Sequence, residues 1–241
     1  MKPIFMIEGL RGSLFIPPIP FNWSFVNNLF EILPGFIPSV NQSSPQLING
    51  IVVEPFNEWL IFSPDNKSRL IFQQQKVDYI IKSGDDYSPQ TIIDFSEKCK
   101  ALFEKIIDYS NQQSSRIAIA PTYKWVGTKD LFMDFVKKTF NNHLFEGSPI
   151  DNCDFSQVYR VVENINELDI KLNYLSKFYV VNSLNIVNGV NTIQESFMID
   201  FDINTFVDPN NSFDKATVID FFSKAESFCT KFMDFYFNEK S

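Results

Sequence analysis

Two aspartates, Asp200 and Asp202, alternate along a β-forming stretch near the end of the chain. Because successive side chains of a strand point to opposite faces, both carboxylates are expected on one face, opposite the apolar residues between them. Together with Glu195 or Asp208 they would supply oxygen ligands for a divalent metal, as in a metal-dependent hydrolase or nuclease. The alternative is that an antiparallel sheet keeps one face solvated and places acids there.

Other catalytic groups are not recognisable in the sequence. His143 is the only histidine, and it follows a predicted helix whose dipole favours positive charge at that end. Cys153 lies between acids, an unfavourable setting for a thiolate. The chain has no Gly-x-Ser-x-Gly elbow, no Gly-x-Gly-x-x-Gly loop and no Walker lysine motif. We therefore predict no catalytic residues and no cofactor, and lean against enzymatic activity without excluding it.

A basic group lies along a predicted hairpin, with Phe72 and Tyr79 interleaved: Lys67, Arg69, Lys76 and Lys82. Cations and stacking aromatics together bind single-stranded nucleic acid, so the protein could bind or mimic a nucleic acid. Lysines also protect sheet edges from aggregation, which is the commoner role. The net charge of −8 argues against general affinity for phosphate backbones and makes nucleic acid an improbable partner.

The three tryptophans, Trp23, Trp59 and Trp125, follow proline-rich or strand-like segments. If exposed, they would suit the core of a protein interface, where aromatic residues are enriched and contribute much of the affinity. Alternatively, they fill the space between helices and sheet. We predict a protein partner or self-association on this basis.

The cysteine pattern and the distribution of apolar residues indicate a cytoplasmic protein. Cys99, Cys153 and Cys229 are widely separated and form no CxxC pair, which fits a reducing compartment. Glu8 and Arg11 interrupt the apolar N-terminus, so no signal peptide is expected. No uninterrupted apolar run is long enough to span a membrane.

One stretch of the sequence repeats the pattern of an earlier stretch, and we call this repeat the internal echo. The stretch from Thr217 to Phe235 can be written under the stretch from Thr91 to Tyr109 without a gap, with Thr, Ile, Asp and Phe at matching positions of its first turn. Such self-similarity is typical of a duplicated supersecondary unit. In both stretches the apolar residues fall on one helical face.

Capping and breaking residues predict the elements of the first half. A strand from Ile4 to Ile16 ends at prolines, and a helix capped by Asn22 ends at Pro34-Gly35. The region from Phe36 to Asn49 is predicted as loop, followed by two strands, Ile51 to Phe62 and Arg69 to Ile81. A helix capped by Ser88 and a strand from Arg116 that ends at Pro121 complete the β-α-β-β-α-β order of a ferredoxin-like unit.

The second half begins the same order again. Its predicted elements are a helix capped by Thr128, strands Gln157 to Glu163, Lys171 to Val187 and Val190 to Asn204, a type I′ turn at Asn188-Gly189, and one closing helix from about Ser212 to Phe237. We therefore predict an α+β fold of tandem ferredoxin-like, split β-α-β units, with antiparallel sheet and four main helices. The units are residues 1–115 and 116–241, as two lobes or one continuous sheet.

These patterns resemble a sporadically distributed, uncharacterised family of prokaryotic proteins of about this length. The segments that carry the resemblance are Trp59 to Phe62, Leu70 to Phe72 leading to Val77-Asp78-Tyr79, Ser115 to Ile119, and Met198 to Ile203 before Phe213. The chain departs from the family at Ala120 to Tyr123, where an aromatic residue and Asn are usual. The resemblance implies no known reaction, but implies occurrence in mobile, defence-associated gene neighbourhoods.

The leading interpretation is a non-catalytic interaction or scaffold protein, using an open sheet face or a sheet edge, in a phage-defence or toxin-neutralising system. The alternatives are the metal-dependent hydrolase or nuclease and the nucleic-acid binder or mimic described above.

Overall fold

The computed structural model describes residues 4–20, 22–42, 46–48, 51–53, 57–86, 88–140, 154–187 and 190–237. Within these ranges the fold is α+β, with five helices and a nine-stranded antiparallel sheet. The helices are α1 (Trp23–Leu29), α2 (Pro89–Ser110), α3 (Lys129–Phe140), α4 (Lys215–Ser223) and α5 (Ala225–Phe237). The strands are β1 (Ile4–Phe15), β2 (Ile37–Gln42), β3 (Gln46–Ile48), β4 (Ile51–Val53), β5 (Asn57–Phe62), β6 (Ser68–Phe72), β7 (Val77–Asp86), β8 (Arg116–Val126), β9 (Asp154–Ile165), β10 (Leu168–Val187) and β11 (Val190–Thr205).

Helix ends follow the predicted capping residues. The Asn22 side chain accepts hydrogen bonds from the backbone N–H groups of Ser24 and Phe25, and the Ser88 side chain accepts one from the N–H of Gln90. These bonds satisfy donors that a helix leaves unpaired at its first turn.

Strand order places the two halves of the chain on opposite sides of a central pair. The order is β2-β5-β6-β7-β1-β8-β11-β10-β9, and β3 pairs separately with β4. Strands from residues 1–115 lie on the β1 side, and strands from residues 116–241 on the β8 side. Both halves thus contribute to one sheet rather than to two.

All five helices pack on one face of this sheet. Ring contacts join Phe25 of α1 to Phe72, Phe95 of α2 to Tyr79, Phe132 of α3 to Phe197, and Phe232 of α5 to Tyr174. A Cβ built on Gly12 of β1 would touch both α2 and α4. The strand register places these contact residues on the same side of the sheet.

Every buried position of α2 is also buried at the equivalent position of α4–α5, which in addition bury Thr217 and Tyr236. In α2 these positions comprise Ile92, Phe95, Ser96, Cys99, Leu102, Phe103, Ile106 and Ile107. The equivalents in α4 and α5 are Val218, Phe221, Phe222, Ala225, Phe228, Cys229, Phe232 and Met233. The two echoing stretches therefore bury the same helical positions.

The closing helix is divided, so the described residues form five helices and not the four predicted. The N–H of Lys224 caps α4 on the carbonyls of Asp220, Phe221 and Phe222. The Lys224 ammonium also donates to the carbonyl of Asn164 in β9, 2.7 Å away, and to the Asp220 carboxylate at 2.8 Å. The hydrogen bond from Lys224 to β9 fixes the position of the break between α4 and α5.

Two predictions about strands need correction, and a third is confirmed. The predicted strand from Arg69 to Ile81 is two strands, because the N–H of Gln73 closes a turn on the carbonyl of Lys76. The predicted loop from Phe36 contains β2, an edge strand in which Pro38 is tolerated because an edge leaves N–H groups unpaired. The hairpin of β10 and β11 is confirmed by their register, while Asn188 and Gly189 lie outside the described residues.

Pro121 does not end its strand, as the sequence predicted, but lies in the middle of β8. The β8–β1 register runs through Pro121, which is opposite Leu10. On the other side, the β8–β11 pairing is interrupted between Thr122 and Ile119. The missing N–H of proline thus falls where the ladder to β11 is broken.

Candidate functional site

The face of the sheet opposite the helices carries a concave site of about 410 Å³ at its centre. Its lining includes Gly9 and Arg11 from β1, Lys82 from β7, Ala120 and Thr122 from β8, Leu175 and Lys177 from β10, and Asp200 and Asp202 from β11. Small residues in the two central strands form its floor, and charged residues form its walls. We call it the central cavity, and the face on which it lies the open face.

Two irregularities meet at the central cavity. The register of β1 shifts between Ile7 and Gly9 against both neighbouring strands. Glu8 is an extra residue relative to β8, whereas on the other side the extra residue belongs to β7, between Lys82 and Asp85. On the next strand, Pro121 interrupts the ladder to β11. Bulges redirect side chains and locally disrupt pairing, and here the disruption coincides with the depression in the sheet.

The polar atoms of the central cavity are incompletely paired. Arg11 forms an ion pair with Asp202, with 3.7 Å between Nη2 and Oδ2, and Asp202 Oδ1 accepts a hydrogen bond from Asn204 Nδ2 at 2.8 Å. Arg11 Nε and Asp200 Oδ1 are buried and have no hydrogen-bond partner among the described residues. The cavity thus offers one donor and one acceptor to a ligand.

Charges of both signs surround these atoms. The acids are Glu8, Asp200 and Asp202, and the bases are Arg11, Lys82 and Lys177. Burial, followed by the negative charge of Asp200 and a hydrogen bond to its carboxylate, raises the pKa of the nearby Tyr179 hydroxyl, which therefore remains protonated. Such a lining suits a polar or zwitterionic group rather than a simple anion.

The predicted metal ligands are brought together only in part. Asp200 and Asp202 lie on the open face in the central cavity. Asp208 lies in the exposed loop after β11 and accepts a hydrogen bond from the N–H of Asn210, while Glu195 forms an ion pair with Lys129 at 3.1 Å. Among the described residues, no three His, Cys, Asp or Glu side chains are grouped as metal ligands. The metal site remains a prediction that rests on the two central aspartates.

The tryptophans separate into two environments. Trp59 and Trp125 are 3% and 8% exposed, so they fill the space between helices and sheet and do not form an exposed interface. Trp59 donates to the carbonyl of Ile19 at 3.3 Å, and Trp125 packs edge-on against Phe132. Trp23 is 60% exposed and remains a candidate contact residue.

The predicted nucleic-acid residues lie on or near the open face, but their predicted stacking partners do not. Arg69 and Lys82 occupy open-face positions of β6 and β7, Lys67 lies in the preceding turn, and Lys76 pairs with Asp78 at 2.7 Å. Phe72 and Tyr79 are buried under the helices, because side chains alternate along a strand and these two belong to the helix-facing set.

A grouping of arginines on the open face was not predicted from the sequence. The chain has four, namely Arg11, Arg69, Arg116 and Arg160, and the strand registers place all of them on the open face. Arg116 lies over the ring of Phe15 at 5.0 Å, and Arg160 over Phe206 at 5.3 Å. Within each strand, alternation allows the arginine to lie on either face of the sheet. Only the alignment of the strands with one another places all four arginines on the same face.

The other candidate reactive groups are not accessible or not described. Cys99 and Cys229 are free thiols and fully buried, and burial raises the pKa of both. His143 and Cys153 lie outside the described residues. None of the helices in the described ranges is long and apolar enough to cross a membrane.

Comparison with protein-family models and with curated proteins finds no match to this chain.

Proposed function

We propose that this protein is a non-catalytic interaction scaffold that holds a protein partner on the open face of its sheet. The observation that carries the proposal is the pair of unsatisfied buried atoms in the central cavity, Arg11 Nε and Asp200 Oδ1. A buried polar atom without a partner is destabilising by about 1–3 kcal/mol. A bound group that offers both an acceptor and a donor, such as an amide of a partner protein, would remove both penalties.

The internal echo supports an architecture for this scaffold. We propose that residues 1–115 and 116–241 derive from one duplicated, split β-α-β-like unit. The matching buried positions of α2 and α4–α5 support it. So does the arrangement of β7, β6 and β5 beside β1, which is mirrored in order by β11, β10 and β9 beside β8. Duplication would explain a sheet wide enough to present one broad binding face.

The resemblance to a family from defence-associated gene neighbourhoods suggests where the partner is encoded. We propose that the scaffold is an accessory or neutralising component of a phage-defence or toxin system, with its partner expressed from an adjacent gene. A purified pair of the two gene products would test this directly. A scaffold that fails to bind any neighbouring gene product would argue against this placement, but not against the open face.

The experiment compares capture of proteins from the native host by matched variants. Arg11→Ala and Asp200→Asn alter the open face, whereas Lys105→Ala and Glu97→Gln alter exposed charges on α2. We expect one protein to be captured by the wild type and by both α2 variants, and to be lost with both open-face variants. Capture that is equal for all four variants would refute binding at the central cavity.

A second candidate, binding of single-stranded nucleic acid, is favoured by the four open-face arginines and by the stacking of Arg116 on Phe15. The test is fluorescence anisotropy with an oligothymidylate at increasing salt concentration, because phosphate contacts weaken steeply as salt rises. Binding that is salt-dependent and reduced by Arg116→Ala would favour this function. Absence of binding at low salt would exclude it.

A further inference from the structure

Strand β9 forms one outer edge of the sheet in the part of the chain that the structure describes. It is 12 residues long, and its register with β10 has no shift from Asp154 to Ile165. The opposite edge strand, β2, has 6 residues and contains Pro38. A long, regular edge presents backbone N–H and C=O groups that can pair with another strand.

A second cavity, of about 290 Å³, lies beside this edge on the helix side. Its lining consists of Tyr159, Val161 and Glu163 from β9, Tyr174 from β10, and Lys231, Phe232 and Phe235 from α5. We call it the edge groove. The rings of Tyr159 and Phe235 meet edge-on with centroids 4.9 Å apart, so the wall nearest the edge is aromatic.

Three polar groups of the edge groove, those of Glu163, Tyr174 and Lys231, are paired with one another. The Tyr174 hydroxyl donates to Glu163 Oε1 at 3.2 Å, and Lys231 Nζ donates to the same carboxylate at 2.9 Å. Their hydrogen-bonding needs are therefore met without a ligand. The groove is suited to a large apolar side chain rather than to a charged one.

We propose that an extended segment of a partner protein adds to β9 as a further strand and inserts one large apolar side chain into the edge groove. Alternate side chains of an added strand would lie beside Tyr159, Val161 and Glu163, which are the β9 residues that line the groove. The backbone of the segment would supply affinity, and the groove would select the side chain. This site is separate from the open-face cavity and goes beyond the function proposed above.

A partner segment fits this edge better than a second copy of the chain. In a two-fold symmetric pair of copies joined at this edge, the strand beside β9 would be another β9, whose Tyr159 and Val161 already line its own groove. No side chain would then be free to fill either groove. Each copy also carries a net charge of −8, which opposes association of two copies.

The test uses a displayed library of random peptides, each as long as β9, selected on the whole protein. Binding of a selected peptide is then measured by fluorescence anisotropy to Val161→Glu and Val162→Glu. These neighbouring valines are both exposed, but Val161 lines the groove and Val162 faces the other side of the sheet. We expect Val161→Glu to weaken binding by about tenfold or more and Val162→Glu by about twofold or less.

A scan of the selected peptide by backbone N-methylation requires no change to the protein. Strand addition predicts that methylation weakens binding at every second residue, because only alternate N–H groups point at β9. Failure to select any peptide, equal losses in both valine variants, or a methylation scan without alternation would each overturn the proposal. A wild-type dimer in sedimentation velocity that Val161→Glu converts to monomer would also overturn it, because the occupant would then be a second copy.

Discussion

Gly12 lies in the middle of β1, where α2 and α4 both cross the sheet. A Cβ at this position would be 2.5 Å from Cys99 Sγ and 3.3 Å from a ring carbon of Phe222. Favourable contacts between such atoms are about 3.5–4.0 Å, so a methyl group requires the thiol to move by about 1 Å. Cys99 is fully buried and Phe222 is 1% exposed, which leaves little room for that movement. We therefore predict that Gly12→Ala destabilises the fold.

The expected magnitude follows from two opposing effects. Overpacking of a core typically lowers the free energy of unfolding by about 1–3 kcal/mol, and the lower entropy of the unfolded chain returns roughly 0.4–1 kcal/mol. The net loss should be about 1–2 kcal/mol. For a chain of this size the melting temperature should fall by roughly 2–8 °C. Urea denaturation followed by circular dichroism measures the loss directly.

A double-mutant cycle identifies the cause. Cys99→Ala removes the sulfur that the new methyl group would meet, so it should recover about 1 kcal/mol in the Gly12→Ala background. Gly35→Ala is the control, because Gly35 has a φ of +76° with no atom within 4 Å of a built Cβ. Gly35→Ala should lower the free energy of unfolding because alanine is strained at a positive φ, and Cys99→Ala should not reduce that loss. A stable Gly12→Ala protein, or additive losses for Gly12→Ala and Cys99→Ala, would refute the reasoning.

Three further predictions concern single groups. Hydrogen bonds from the Thr217 hydroxyl and backbone N–H hold the pKa of Asp214 below its usual value. The contribution of Asp214 to the free energy of unfolding is therefore fully present above an unfolded-state pKa of about 4. It is lost as the pH falls through the lower folded-state pKa. In urea denaturation, Asp214→Ala should lower the free energy of unfolding by about 1 kcal/mol near pH 7 and by little near pH 2. Asp214→Asn is the control, because asparagine also caps a helix. Iodoacetamide should label Cys99 and Cys229 only after denaturation, and peptide mapping that finds either labelled in the native protein would contradict their burial. Calorimetric titration with millimolar Mg²⁺ or Mn²⁺ should show no saturable heat, because Asp202 is already in an ion pair with Arg11. A binding curve that Asp200→Ala abolishes would establish the metal site instead.

Local signals were sufficient where the structure depends on neighbours in sequence. Asn22 and Ser88 cap helices because their side chains reach N–H groups two or three residues ahead. The alternation of Asp200 and Asp202 also fixes their common face, whatever the partner strands are. The break at Lys224 could not be predicted in this way, since it depends on the carbonyl of Asn164 in a distant strand.

Register accounts for most of what the sequence could not show. Arg11, Arg69, Arg116 and Arg160 share a face because of how β1, β6, β8 and β9 are aligned, and no spacing along the chain encodes that alignment. The same applies to Phe72, which was expected to stack on a ligand. Its own strand allows either face, and the position of α1, through Phe25, decides which face is buried.

The residues least suited to a regular strand are also those that shape the central cavity. Gly9 and Pro121 are poor strand residues, and both predict interruption of a strand. In the structure they lie in the two central strands, where a bulge and a broken ladder are held by pairing on either side. A regular sheet at this position would have placed paired backbone groups and larger side chains over the same area. The irregularities instead leave room for a ligand beside Arg11 and Asp200. This coincidence of locally unfavourable residues with unsatisfied polar atoms is the physical reason for placing the binding site at the centre of the sheet.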